Sequence, residues 1–409
     1  MILTKKDFFS HPFFKSVKLN RLSRFVENYR TPVFIYSAEA VLRQINLFKK
    51  NIPGKFKLFY AQKSNPNPSL LRFINTTGIG CDTASLGEIK SAIKAGFSKD
   101  RIMFTGPGKT EKELSYAISN NLLSINVESF HEIEIINRIA KRKERIQDIM
   151  LRINPAFEAG ETTKIIGGKG TSKFGIDYEQ IPEVISGLKN LQNVNLCGIH
   201  IFNSSGILDY RKILKNTKDV IRITIELEEK FNLNFKRIDL GGGFGIPYSK
   251  AEKELDIKKL GNGLKKFINK KEIRERLKNK ELVFELGRYI SAYSGVYLTK
   301  VLYTKKSCGK NIAIIDGGIH HLLRPALIGQ SFPVINLSAI LQNRKSLTRS
   351  YLIAGPLCTS LDEIDSDALM NEVTPGDILA VLNCGAYGYT ESMPLFLTQI
   401  KSTEYFMNK

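Results

Sequence analysis

Apolar positions occur in short runs along the chain, and each run is followed by a turn and then by a stretch with helical spacing. In residues 85–95 and 129–139 the apolar side chains recur three to four positions apart, as one buried helix face requires. A short apolar run bounded by turn residues predicts a buried strand. Eight such runs are present, at 56–60, 78–81, 101–104, 122–127, 149–153, 196–202, 237–240 and 282–285.

This alternation predicts an α/β fold, because eight strand and helix units over about 230 residues match a TIM (β/α)8 barrel in number and length. From residue 295 onward the apolar runs are separated by Gly, Pro, Asn and Asp, which is typical of a second, mostly antiparallel β domain. We therefore predict an N-terminal segment (1–40) that contributes to the β domain, a barrel (41–290) and a C-terminal β domain (291–409).

The composition is that of an ordinary globular protein, with 42% hydrophobic and 25% charged residues. No run of 18 consecutive apolar residues predicts a membrane span, and the N-terminus has no pattern of a secretory signal. The five cysteines are scattered and contain no CxxC pair, which argues against a zinc ribbon or a disulfide framework. We expect a cytoplasmic protein without a metal site.

The 61 basic and 40 acidic residues leave a net charge of +21 and a pI near 9.6. An acidic partner would explain this charge, and so would a lysine-rich surface. The basic residues are scattered, and no nucleic-acid-binding motif accompanies them. We therefore expect neither nucleic acid nor a membrane among the partners.

The barrel prediction locates the candidate chemistry, because TIM barrels carry their active sites at the C-terminal ends of the strands. Polar, charged or glycine residues follow all eight runs. Polar loops at strand ends explain some of them, but not three successive glycines. The residues include Lys63, Asp82, Gly106, Glu128, Arg152, His200, Gly241, Gly242, Gly243 and Glu285.

Three of these positions together suit a phosphorylated aldehyde such as pyridoxal phosphate. The glycine run at 241–243 lets backbone N–H groups approach a phosphate closely. Lys63 follows apolar residues, and we expect partial desolvation to lower its pKa and make it a nucleophile. Glu285 is a carboxylate suited to hold a proton on a pyridine nitrogen. The simpler interpretations are a turn, an exposed lysine, and a salt bridge between Glu285 and Arg288.

Seven motifs follow one another along the chain: YAQKSN (60–65), CDTASLGE (81–88), SKFGI (172–176), DLGGGFG (239–245), ELGR (285–288), GPLCTSLD (355–362) and GAYG (385–388). With these motifs the chain resembles the fold-type III pyridoxal-phosphate decarboxylases, the group of diaminopimelate and ornithine decarboxylases. The resemblance covers nearly the whole chain, and it implies a barrel with a β domain and pyridoxal 5′-phosphate as cofactor.

The resemblance also implies roles for individual residues. Lys63 would form an aldimine with the cofactor, Glu285 would pair with its ring nitrogen, and Cys358 would return a proton to the α-carbon. Cys358 would come from the neighbouring subunit of a homodimer; without the resemblance, a small buried hydrophobic residue is the simpler interpretation. Asp82, Glu88 and Arg152 would position the lysine. Further cofactor contacts are implied for His200, Phe202, Ser205, Gly241, Gly242, Gly243, Gly287, Arg288 and Tyr387, and substrate contacts for Arg288, Arg324, Thr359 and Tyr387.

The chain departs from the family pattern at three places. Phe202 stands where HxHxGS has a histidine stacked on the cofactor, and a phenyl ring stacks but exchanges no proton. Thr359 stands where diaminopimelate decarboxylases generally have a glutamate that reads the distal amino group, which argues against a distal ammonium. Residues 316–321 (DGGIHH) replace the usual DAGMN, while Arg324 is kept and is available to read a second carboxylate.

These departures leave the substrate open. The implied reaction removes the α-carboxylate of an amino acid, as in diaminopimelate, lysine and ornithine decarboxylases. The alternative is a subgroup that decarboxylates a glutamyl group on an acyl carrier protein, whose acidity would suit the charge of +21. An alanine racemase shares the barrel and the early lysine, but ELGR and GPLCTS argue against it. An inactive regulatory homologue would be expected to lose Lys63, Glu285 or Cys358.

Overall fold

The computed structural model describes residue 8 and residues 10–17, 19–28, 30–155, 172–345 and 347–408. The chain forms two compact units. The barrel unit comprises Ile45–Ile246 and Glu254–Gly287, and the β unit comprises Met1–Gln44, Pro247–Lys253 and Arg288–Lys409. Among the described helices, none is both long enough and apolar enough to cross a membrane.

The strands of the described residues are β1 (Val33–Ser37), β2 (Phe56–Ala61), β3 (Gly80–Thr83), β4 (Ile102–Phe104), β5 (Ser124–Val127), β6 (Gln147–Asn154), β7 (Ile176–Asp177), β8 (Val194–His200), β9 (Arg237–Asp239), β10 (Glu281–Leu286), β11 (Gly295–Ser307), β12 (Lys310–Ile315), β13 (Val334–Asn336), β14 (Thr348–Ala354), β15 (Glu363–Asn371), β16 (Ile378–Val381) and β17 (Thr403–Met407).

The α-helices of the same residues are α1 (Pro12–Ser16), α2 (Leu19–Asn28), α3 (Ala38–Asn51), α4 (Pro68–Thr76), α5 (Leu86–Lys94), α6 (Glu111–Ser119), α7 (Phe130–Arg142), α8 (Ile181–Leu188), α9 (Tyr210–Phe231), α10 (Ile257–Ile268), α11 (Lys271–Arg276), α12 (Arg288–Ser291), α13 (Arg324–Ile328) and α14 (Leu337–Leu341).

The barrel unit contains a closed barrel of eight parallel strands, in the order β5-β4-β3-β2-β10-β9-β8-β6, which the pairing of β5 with β6 closes. Each of the eight predicted runs overlaps one of these strands, so the TIM barrel is confirmed. The short strand β7 pairs with β6 outside the ring. Because all eight strands are parallel, their C-terminal ends meet at one rim.

Capping residues fix three consecutive loops at this rim. Helix α5 begins after Ser85, whose hydroxyl accepts from Glu88 N, and α7 begins after Ser129, which does the same for Glu132 N. Helix α6 begins with a full capping box between Thr110 and Glu113. The repeated pattern Ser/Thr-x-x-Glu therefore turns the chain from strand to helix directly after β3, β4 and β5.

The β unit contains a largely antiparallel sheet in the order β13-β16-β11-β12-β14-β15, with β1 paired to β11 and to β17. Among the described strand pairs of this sheet, only β1–β17 and β12–β14 are parallel. Buried Phe34, Tyr297, Ile315, Ile353 and Leu379 share one of its hydrophobic clusters. The second, mostly antiparallel sheet is thus confirmed, and its N-terminal strand β1 lies between strands from the C-terminal part of the chain.

Candidate active site

Lys63 lies in a 3-10 turn, Gln62–Ser64, directly after β2 at the C-terminal rim of the barrel. Its Nζ is 3.7 Å from Oδ2 of buried Asp82 and 5.7 Å from the centroid of the Phe202 ring. The lysine side chain is 42% exposed, so it is partly covered, and the expected nucleophilic role of Lys63 stays a prediction. A neighbouring carboxyl group and an aromatic ring set the environment of this amine.

A line of buried polar side chains continues from Asp82 across the barrel. Thr105 Oγ1 donates to Asp82 Oδ1 at 2.7 Å, and Asn126 Nδ2 donates to Thr105 Oγ1 at 3.0 Å. The same Asn126 nitrogen is 3.4 Å from Nδ1 of His200. With Nδ1 as the acceptor, the imidazole carries its proton on Nε2, which is 3.4 Å from Glu285 Oε2. The line therefore links Asp82 with Glu285.

His200, Asp239 and Glu285 form a buried cluster at the ends of β8, β9 and β10. One ligand-type atom from each residue lies within 4.8 Å of the others, and no residue of the three is more than 5% exposed. Gly241 N donates to Asp239 Oδ1 at 2.9 Å. Asp239 Oδ2 and Glu285 Oε1 have no other hydrogen-bond partner in the described part of the chain. A proton shared between the two carboxyl groups satisfies both.

The charges of this cluster indicate where that proton lies. Burial, reinforced by the charge of Glu285, raises the pKa of Asp239 well above its usual range. Burial acts on Glu285 in the same direction, but His200, the hydrogen bond from Asp239 and the charge of Lys63 together lower its pKa to about 2. Burial and the charge of Glu285 raise the pKa of Asp82 to about 8. The opposite directions of the two pKa values favour a protonated Asp239 beside an ionised Glu285.

The glycine run 241–243 follows β9 and packs tightly against its neighbours. Gly241 and Gly243 have φ angles of +65° and +94°, which favour glycine. A Cβ on Gly242 would lie 2.1 Å from the carbonyl oxygen of Glu285, and one on Gly243 would lie 2.5 Å from that of Ser204. No side chain fits at these positions, so the loop keeps a bare backbone at the rim. Ser205, the predicted phosphate serine, is half-buried on the adjoining loop.

Arg152 and Glu88 form hydrogen bonds that stabilise the loops around this rim. Arg152 Nη1 donates to Glu128 Oε1 at 2.7 Å, and the guanidinium lies 4.5 Å from the Phe174 ring of the SKFGI motif. Gly175 N donates to the other oxygen of Glu128 at 2.9 Å. Glu88 Oε2 accepts from Ala84 N at 2.7 Å. Close packing also fixes Gly287, where a Cβ would lie 2.8 Å from Ser64 Cβ beside the lysine turn.

The β unit holds a second cluster of predicted residues, in which Tyr387 contacts two arginines. The centroid of its ring is 5.0 Å from the guanidinium carbon of Arg288 and 4.4 Å from that of Arg324. Tyr387 has a φ of +53°, a left-handed conformation that non-glycine residues adopt uncommonly. Arg288 Nη1 donates to the Tyr248 hydroxyl at 3.0 Å.

Arg324 is not free to read a ligand. Its Nε is 2.6 Å from Glu391 Oε2, and its Nη2 donates to Glu391 Oε1 at 3.2 Å. Its Nη1 donates to Gln330 Oε1 at 3.1 Å. The expectation of an arginine open to a second carboxylate is therefore wrong, because this chain supplies that carboxylate itself.

Cys358 and Thr359 lie on a tight loop anchored by Asp362. The carboxylate of Asp362 accepts from Leu357 N at 2.8 Å and from Ile319 N at 2.7 Å. Cys358 itself is exposed, so the interpretation as a buried hydrophobic residue is wrong. The anchored loop presents the thiol outward, where a partner or a ligand can reach it.

Four residues of these clusters were missed by sequence reasoning: Thr105, Asn126, Asp239 and Glu391. Asp239 opens the DLGGGFG motif, and Thr105 and Asn126 lie at the ends of β4 and β5, so strand-end position is the signal that could have found them. Glu391 lies in a 3-10 turn and has no comparable signal, because its partner Arg324 is 67 positions away.

The chain matches the family model described as pyridoxal-dependent decarboxylase, pyridoxal binding domain, over residues 38–292. It is 31% identical over 381 residues to the L-glutamyl-[BtrI acyl-carrier protein] decarboxylase of Niallia circulans, covering 92% of this chain and 88% of that protein. It is 32% identical over 380 residues to the diaminopimelate decarboxylase of Aquifex aeolicus, covering 93% and 87%. The crystal structure of diaminopimelate decarboxylase from Helicobacter pylori complexed with L-lysine matches with a TM-score of 0.85 at 29% identity, covering 95% and 94%.

Proposed function

The chain belongs to the pyridoxal-dependent decarboxylases, as its motifs predict, and we propose that it removes the α-carboxylate of an amino acid as CO2 at the rim of its barrel. One observation carries this proposal: the Lys63 amine, the glycine run and the buried carboxyl group of Glu285 lie at the C-terminal ends of parallel strands of one barrel, at the same rim. The conclusion concerns the reaction type, because relatives of nearly equal identity act on different substrates.

The residues at the rim fit pyridoxal 5′-phosphate. Lys63 supplies an amine for the aldehyde, and the bare backbone of Gly241–Gly243, with Ser205, suits the phosphate. Glu285 supplies the carboxylate for the ring nitrogen. When bound, the cofactor takes up the electron pair that departing CO2 leaves behind, provided that its ring nitrogen is protonated.

The buried cluster explains how the protein keeps that proton on the ring. An ionised Glu285 stabilises a positive charge beside it, whereas a protonated carboxyl group does not. Asp239 holds the proton for which the carboxyl groups of Asp239 and Glu285 would otherwise compete. Nε2 of His200 lies 3.4 Å from Oε2 of Glu285. Both residues thus act as positioning residues for Glu285.

We infer that Asp82 handles a proton at the Lys63 amine. The two groups are 3.7 Å apart, and the pKa of Asp82, raised to about 8, lies in the range where a carboxyl group accepts and returns protons near neutral pH. Phe202 lies beside the same amine and offers a flat apolar ring for stacking. It contributes packing without proton transfer.

The role of Cys358 in returning a proton to the α-carbon is part of the proposal, as is a homodimer in which Cys358 serves the partner's site. The exposed thiol on an anchored loop supports both. For Arg288 and Tyr387, a contact with the cofactor stays a prediction from the family resemblance. The alternative function, decarboxylation of a glutamyl group on an acidic carrier protein, is supported by the relative from Niallia circulans and by the net charge of +21.

Two measurements test the proposed function. Purified protein incubated with pyridoxal phosphate and then reduced with borohydride should carry the cofactor on the peptide containing Lys63, as read by mass spectrometry. The variant Lys63→Ala should carry none, while Lys57→Ala, which removes an exposed lysine from the same strand region, should label like the wild type. Labelling elsewhere, or no cofactor absorbance in the wild type, would overturn the proposal. CO2 release from a panel of amino acids then identifies the substrate.

A further inference from the structure

We propose that the substrate of this protein has an uncharged distal end, because the arginine that would read a second carboxylate is already paired with Glu391 of the same chain. The inference rests on the proposed function and on the family resemblance, which implies substrate contacts for Arg324 and Thr359. Glu391 is thereby assigned as a specificity-determining residue.

The pairing uses the edge of Arg324 that a ligand would need. A guanidinium recognises a carboxylate through two parallel N–H groups of one edge. In Arg324 that edge, Nε and Nη2, faces the two oxygens of Glu391 at 2.6 and 3.2 Å, and Nη1 donates to Gln330. Arg324 is only 2% exposed, so a second carboxylate has no other approach to it. A dicarboxylic substrate would have to displace Glu391 and meet its negative charge.

The same cluster argues against a distal ammonium. Arg288, Arg324 and Glu391 together carry a net charge of +1, which repels a cation. The excess charge lies on Arg288, whose guanidinium already lies over the rings of Tyr248 and Tyr387 and donates to the Tyr248 hydroxyl. Arg288 is close enough for its charge, added to the effect of burial, to lower the pKa of Arg324. Thr359 brings a hydroxyl and no carboxylate. The nearby carboxylate of Asp362 is occupied by two backbone N–H groups.

What remains is a side chain that ends in a neutral acyl group, such as an ester, a thioester or an amide. A neutral carbonyl oxygen accepts hydrogen bonds without adding a charge to the cluster. A glutamyl group held through its side-chain carbonyl belongs to this class, whereas free glutamate, lysine and diaminopimelate do not. The distal group is uncharged in every member of this class, whether or not the group is attached to a carrier protein.

The test is a titration of the cofactor-loaded protein with L-glutamate and with L-glutamate 5-methyl ester, which differ in the distal charge and by one methyl group. Binding is read from the change in cofactor absorbance and does not require turnover. We expect the ester to bind at least about tenfold more tightly than glutamate, and more tightly than L-lysine and meso-diaminopimelate. Tighter binding of any of the three charged amino acids would overturn the inference.

The variant Glu391→Gln tests the residue itself. Freed from its carboxylate partner, Arg324 should bind glutamate about tenfold more tightly than in the wild type, while the affinity for the ester changes by less than about threefold. Glu372→Gln is the matched control, because it removes one carboxylate from an exposed pair with Arg349 in the same unit. Unchanged glutamate affinity in a folded Glu391→Gln protein would contradict the assignment.

The two proposals fail in different ways. If the wild-type protein shows no cofactor absorbance, the proposed function is wrong. If the cofactor is bound and diaminopimelate or lysine binds most tightly, only the uncharged distal end is wrong. The wild-type titration alone decides this point if Glu391→Gln does not fold.

Discussion

The barrel unit and the β unit each bury a cluster of like-charged side chains, and they reduce the repulsion in different ways. In the barrel the cluster consists of carboxyl groups, Asp82, Asp239 and Glu285, and protons neutralise part of the charge. In the β unit it consists of Arg288 and Arg324, which do not lose protons in proteins, and a carboxylate from the same unit compensates one of them.

This difference separates what each cluster can do. A cluster compensated by protons changes its charge with pH and can pass protons, as catalysis on a cofactor requires. A cluster compensated by an ion pair has a constant charge near neutral pH and can only select or reject a ligand. We therefore expect substitutions in the barrel cluster to change the rate of the chemical step and substitutions in the arginine cluster to change substrate preference.

Glu285→Gln should have the largest effect on catalysis. The amide keeps the shape of the side chain but removes the charge that, in the proposed function, would hold a proton on the cofactor ring. We expect kcat to fall by roughly 10²- to 10⁴-fold, the range typical of losing an essential proton-handling group. Steady-state CO2 release measures this, with cofactor absorbance confirming occupancy. A loss under tenfold would show that the charge of Glu285 is not used.

The pH dependence of the free energy of unfolding should also distinguish the carboxyl cluster of the barrel from the arginine cluster. In the folded protein the pKa of Asp82 is raised to about 8, so its proton stabilises the fold at low pH, and this contribution is lost as the pH rises from about 4 towards about 8. The lowered pKa of Glu285, about 2, acts in the opposite direction but only below this window. Urea unfolding of the cofactor-free protein should show a free energy of unfolding that falls between about pH 6.5 and about pH 8. Below this range His11 and His321, whose pKa burial lowers to about 4, oppose the trend.

The slope is at most about 1.4 kcal/mol per pH unit for each such group. Asp82→Asn should reduce it by up to this amount, because the amide does not titrate, whereas Asp239, whose pKa is also raised, still does. Glu391→Gln should leave it unchanged, because the arginine cluster does not titrate in this window. An unchanged slope in Asp82→Asn would place the titrating group elsewhere.

Asp239→Asn should have a smaller effect on catalysis than Glu285→Gln. An asparagine donates an N–H to Glu285 and accepts from Gly241 N, as the protonated aspartic acid does. We expect kcat to change by less than about tenfold, since the donor is replaced and not lost. If Asp239→Asn were as damaging as Glu285→Gln, the ionised group would be Asp239 and the assignment of the proton would be reversed.

Phe202→His should have the smallest effect. The substitution restores the aromatic residue that the family usually has, and an imidazole stacks much as a phenyl ring does. We expect kcat to change by less than about threefold, and cofactor affinity to weaken more in Phe202→Ala, which removes the ring. A rate increase well beyond this in Phe202→His would mean that the position exchanges protons, contrary to its role as a packing surface.

The barrel was more predictable from the sequence than the β unit, for a physical reason. Parallel strands buried on both faces read as continuous apolar runs, and all eight were found. The run at 78–81 lies two residues before β3 (Gly80–Thr83), because the strand continues into Asp82 and Thr83, which are polar yet buried at the site. Strand β15 (Glu363–Asn371) begins with EIDSD, in which only Ile364 is apolar, and β17 pairs with β1 from the far end of the chain, so neither gave a local signal.

The candidate site shows the same limit. Lys63, His200 and Glu285 are located by the ends of their strands, and the barrel topology brings them to one rim. Asp239 as a proton holder and Glu391 as an internal partner of Arg324 depend on side-chain distances that no spacing in the sequence encodes. Family motifs do not supply them either, because Glu391 lies outside the seven motifs.

The most direct test of the division between a catalytic and a selective cluster is a comparison of CO2 release rates from two substrates. Cofactor-loaded protein would be assayed with L-glutamate 5-methyl ester and meso-diaminopimelate, and the two values of kcat/KM compared. We predict that the ester exceeds diaminopimelate by at least about tenfold, because under the proposed substrate contacts only diaminopimelate would bring a second carboxylate and an ammonium to the arginine cluster. Faster decarboxylation of diaminopimelate would contradict the account of the arginine cluster and leave the barrel chemistry standing.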